Sequence, residues 1–82
     1  MQGTYQVKAK TLSGHEVLLH LAPTAKGSLI KELVHDKMKI DKKCLLLRTD
    51  KGIDIGDEDI ASEKGLKNGD TLQVLIRLMG QD

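Results

Sequence analysis

The sequence predicts an α+β fold in which a mixed four-stranded sheet is covered on one face by a single helix. Three observations carry this. Apolar residues alternate with period two near both ends of the chain. One window between them, Leu29 to Met38, has helical spacing instead. Turn signals at Ser13-Gly14 and Asn68-Gly69 separate the periodic segments. The 82 residues have room for one core, so the expected organisation is one domain over residues 5–80, with 1–4 and 81–82 as short tails.

The first strand is expected from Tyr5 to Leu12, where Tyr5, Val7 and Ala9 share one face and Gln6, Lys8 and Lys10 the other. After the Ser13-Gly14 turn the alternation resumes, with Val17, Leu19 and Leu21 on the buried side and Leu18 outward. Pro23 ends this second strand because proline has no amide hydrogen for a ladder. Leu29, Ile30, Leu33, Val34 and Met38 then form the stripe of an amphipathic helix, with Ser28 as a candidate N-cap or an earlier start near Thr24.

A third strand is expected in "CLLLRTD", with Leu45 and Leu47 facing one way and Cys44 and Leu46 the other. Lys51 to Asp70 reads as a long connector rich in Gly and Asp, pinned by Ile53, Ile55, Ile60 and Leu66. In the last strand Leu72, Val74 and Ile76 share a face, leaving Gln73, Leu75 and Arg77 on the other.

Composition narrows the function. Basic and acidic residues number 13 and 12, a net charge of +1, so no whole-chain field attracts nucleic acid or an anionic membrane. Tyr5 is the one aromatic residue, which leaves almost nothing on which to stack bases. No run of 18 apolar residues occurs, and the lone Cys44 excludes an internal disulfide or a cysteine-rich zinc site. A reducing setting, cytoplasmic and/or nuclear, fits this cysteine usage. No nucleophile, base and oxyanion donors group into an active-site set, so no enzyme is expected. The acidic "DIGDED" lacks the spacing of a calcium loop, and His20 and His35 do not make a local metal site.

The hairpin "KTLSGHEVLLHLAP", the helix end "HDK", the segment "GLKNGDTLQVLIRLMG" and the order of elements closely resemble ubiquitin and ubiquitin-like domains. The resemblance covers about Tyr5 to Gly80. It implies the β-grasp fold, a mixed four-to-five-stranded sheet with one main helix packed on one face. It also implies an apolar docking patch at the positions matching Leu12, Leu46 and Leu75, with Lys8, Lys10, Gln73 and Arg77 as its rim. Gln73 stands where ubiquitin carries a histidine that many binders contact.

At the end of the chain, Arg77, Leu78 and Gly80 match the approach to the family's terminal Gly-Gly, but Met79 replaces a basic residue and Gln81 takes the place of the final glycine. A side chain there should clash in an enzyme channel shaped for glycine. The expectation is therefore a non-catalytic interaction module, without cofactors and not conjugated through this terminus. It is either a monomer or part of a larger chain. The partners the resemblance implies are proteins: ubiquitin-pathway receptors, proteasome or chaperone components. The alternative is a modifier precursor processed after Gly80 and conjugated to target lysines.

Two further features have readings of their own. Cys44 is expected outward beside Leu46 as a small side chain on an exposed strand. Residues 26–51 hold eight positive and four negative side chains, and residues 54–70 hold six negative and two positive. Opposed patches of this kind would steer a charged partner.

Overall fold

The Ser13-Gly14 turn closes as its sequence requires. Gly14 has φ of 92°, its amide donates to the Thr11 carbonyl at 3.0 Å, and the Thr11 amide donates to the His15 carbonyl at 2.9 Å. The computed structural model describes residues 4–77. Its strands are β1 (Tyr5–Thr11), β2 (Glu16–Leu21), β3 (Leu45–Thr49), β4 (Asp54–Ile55) and β5 (Thr71–Ile76), with helix α1 at Gly27–Met38. Two short 3-10 turns occupy Lys42–Cys44 and Ala61–Lys64.

The five strands form one sheet in the order β2-β1-β5-β3-β4. The first and last strands lie side by side and parallel at its centre, and all other pairs are antiparallel. A parallel pair needs a crossover. Here the whole middle of the chain supplies it, and α1 packs within that crossover against one face of the sheet. The buried set includes Val7, Ala9, Leu19, Leu21, Ile30, Val34, Leu45, Leu47, Ile55, Leu66, Leu72 and Val74. It is aliphatic throughout, as a chain without Phe or Trp demands.

The alternation expected in β1, β2 and β5 holds at each of these core positions, but several local expectations are corrected. Neither Ser28 nor Thr24 caps α1. Lys26 occupies the N-cap position and makes no side-chain cap bond. Instead the Gly27 and Ser28 amides donate to the Asp59 and Asp57 carbonyls, at 3.0 and 3.1 Å. The expected connector after Lys51 is therefore a structural element: it adds the edge strand β4 and then lies over the start of the helix. Gly27 is required there, because a Cβ on it would stand 2.1 Å from the Gly56 carbonyl oxygen.

Ile53 does not pin this segment, being exposed, while Ala61 is buried and does. Ile76 is on the inner side by alternation yet 52% exposed. Leu29 at the start of the helical stripe is likewise exposed. Cys44 precedes β3 as the last residue of a 3-10 turn and is half-buried, not an outward strand residue. Two threonines take roles that periodicity does not reveal. Thr49 is buried in the hairpin between β3 and β4, and its Oγ1 accepts from the Lys51 and Ile53 amides at 3.3 and 3.2 Å. Thr11 Oγ1 accepts from the His15 amide at 3.2 Å and bonds Ser13 Oγ at 2.8 Å.

Candidate functional site

With α1 on one face, no element among the described residues covers the other face of the sheet, and strand register sorts its side chains into rows. Leu46 of β3 pairs with Leu75 of β5. The parallel β1–β5 register, Lys10 with Gln73 and Thr11 with Val74, brings the β1 end beside β5. Leu12, just beyond β1, thereby joins Leu75, and both line a groove of about 340 Å³ together with Lys10 and Gln73. Leu12 is 92% exposed, while Leu46 and Leu75 are half-buried, shielded by each other and by their neighbours in the sheet. The three leucines singled out by the sequence thus form one aliphatic stripe. Exposed stripes of this kind, rimmed by polar groups, mark protein interfaces more often than ordinary surface does.

Next to it runs a polar row across all five strands: Glu16, Lys10, Gln73, Arg48 and Asp54. Lys10 pairs with Glu16 at 3.7 Å and Arg48 with Asp54 at 2.8 Å, so two ion pairs flank an uncharged Gln73. Strand spacing puts Lys10 and Arg48 about 10 Å apart. Arg48 and Asp54 border the stripe as well, a placement that strand order and not residue type sets. The signal that could have found them is the outward register of Arg48, two residues after Leu46 on the same face.

Two of the expected rim residues stand elsewhere. Lys8 pairs with Leu18 and Thr71, one row further from the leucines, so the polar row separates it from them. Arg77 lines a cleft with Lys31, Lys42 and Lys43 on the helix side of the sheet end. Its backbone continues the sheet, the Arg77 amide donating to the Cys44 carbonyl at 2.7 Å. Gly80 lies outside the described residues.

The opposed charged segments do not remain as two separate patches. The fold places the acidic segment against the basic one, and Lys26–Glu58 at 3.4 Å, Lys31–Asp57 at 2.7 Å and Arg48–Asp54 at 2.8 Å join them. Much of the charge expected to steer a partner is therefore engaged within the chain. Among the described residues no three His, Cys, Asp or Glu side chains come together as a metal site. His35 lies near the helix end, where its Nδ1 donates to the Ile40 carbonyl at 2.7 Å.

The sheet order, the central parallel pair and the single covering helix define a β-grasp domain. The comparisons with known proteins agree. A search with protein-family models finds no match. The chain is 35% identical over 74 residues to the ubiquitin-like protein NEDD8 of Dictyostelium discoideum, covering 90% of this chain and 95% of that one. A solved structure of a de novo designed protein based on ubiquitin matches with a TM-score of 0.84, at 18% identity, over 98% of this chain and 96% of its own. The chain belongs to the ubiquitin-like family.

Proposed function

We propose that this ubiquitin-like domain is a non-catalytic interaction module that docks a protein partner on the open face of its sheet. The observation that carries the reading is the Leu12–Leu75–Leu46 stripe, solvent-facing and bordered by the Lys10–Gln73–Arg48 row. A partner's apolar side chains cover the leucines, and its polar groups meet Gln73 and the two cations. Burial of Leu12 supplies most new apolar area, because it is the most exposed of the three. Lys10 and Arg48 govern register and encounter rate more than affinity, since each is solvent-exposed or partly so and already paired.

Gln81, at the place of the family's last glycine, supports a module not conjugated through this end. The cytoplasm and the nucleus, both reducing, suit a chain with one free thiol. The test is affinity capture from the native cells with the wild-type chain, Leu12→Asp and Leu46→Asp, read alongside an immunoblot of the whole lysate. Discrete partners lost in both variants support the reading. A ladder of higher masses that disappears when Gly80 is deleted identifies a conjugated modifier instead.

A further inference from the structure

At the end of the sheet, between the start of α1 and the Lys42–Cys44 turn, lies a cleft of about 410 Å³. Its lining carries four cations, Lys31, Lys42, Lys43 and Arg77, and two acids, Glu32 and Asp57. Both acids are engaged: Asp57 with Lys31 at 2.7 Å and Glu32 with Lys42 at 3.7 Å. Lys43 and Arg77 have no acidic partner among the described residues.

These two cations are anchored to the same short turn. Asp41 Oδ1 accepts from the Lys43 amide at 3.0 Å, and the Cys44 amide donates to the Asp41 carbonyl at 2.9 Å, which fixes the turn. The Arg77 amide bonds the Cys44 carbonyl at 2.7 Å, which ties β5 to it. Their backbones are thus held before any ligand arrives, so less ordering is needed on binding. With two of its four cations paired to its two acids, this cleft keeps a surplus of two positive charges in one concave place.

We propose that this cleft docks an acidic segment of a protein partner, with two carboxylates meeting Lys43 and Arg77. A single solvent-exposed ion pair holds a lone small anion poorly, and two carboxylates linked on one chain gain from their shared tether. The site is separate from the leucine stripe and does not depend on its role.

The test is an NMR titration of the ¹⁵N-labelled chain with blocked hexaglutamate, hexaglutamine and inorganic phosphate, at about 50 mM and about 300 mM NaCl, between which screening shortens from roughly 14 to 6 Å. Hexaglutamate is expected to shift the Lys42, Lys43, Cys44 and Arg77 amides saturably. The apparent Kd should rise about tenfold at the higher salt, and about tenfold in Lys43→Gln/Arg77→Gln, whose exposed side chains leave the fold intact. The proposal is overturned by shifts centred on Lys8, Lys10 or Arg48, by equal binding of hexaglutamine, by phosphate binding as tightly at the same amides, or by no saturable shift.

Discussion

Leu46 of β3 stands directly opposite Leu75 of β5 on the face of the sheet that the helix leaves open. Aliphatic cross-strand neighbours of this kind contribute roughly 0.2–1 kcal/mol to sheet pairing. The pair therefore has two roles, part of the sheet's own packing and part of the surface it presents.

That double role separates two substitutions. Leu46→Asp should lower stability by about 1–2 kcal/mol, because a half-buried aliphatic contact is replaced by a charge. Leu12→Asp should change it by less than about 0.5 kcal/mol, its side chain being almost wholly in solvent. Urea unfolding followed by far-UV circular dichroism measures both. A larger loss for Leu12→Asp than for Leu46→Asp would contradict the register described.

Gly27→Ala should destabilise by about 1–3 kcal/mol, although alanine is favoured over glycine in most helical positions by roughly 1 kcal/mol. The sign is set by the Gly56 carbonyl, which a Cβ would overlap. A rise in the urea midpoint would mean that the 56–59 loop does not lie on the helix start.

The helix is where sequence reading and structure diverge most instructively. Its buried stripe, Ile30 and Val34 with Leu33 and Met38 beside them, is legible because period 3.6 is a property of neighbouring residues. Its N-terminus is not, because the groups that satisfy the Gly27 and Ser28 amides are backbone carbonyls some thirty residues away, which no side-chain identity announces. The same holds for β4, two residues long, whose place is fixed by pairing Ile55 with Leu47 and not by any periodicity of its own. At the candidate site, alternation alone placed Leu46 and Leu75 outward. Which charges border them depends on strand order, which brings Arg48 beside them and sets Lys8 one row further away.

Thr49→Val should cost about 1–3 kcal/mol despite its similar shape, since two amides in the β3–β4 turn lose their acceptor. Thr49→Ser keeps that oxygen and should recover much of the loss. Equal destabilisation by both would assign the effect to the methyl group's packing.

Lys39 ends the helix with φ of 62°, a left-handed conformation unfavourable for a residue with a Cβ. Lys39→Gly should therefore raise stability by about 0.5–1 kcal/mol, and Lys39→Val should lower it by more. Urea midpoints at constant m-value measure both.

The most direct test of the docking face is photo-crosslinking in native-cell lysate from a benzophenone side chain placed at Gln73, in the centre of the polar row. A second probe at Asp36, exposed on the helix, serves as the control. The account predicts discrete adducts from position 73, absent from position 36, and lost when Leu12→Asp or Leu46→Asp is added. Adducts from position 73 that survive both leucine substitutions, or adducts from position 36 alone, would contradict it.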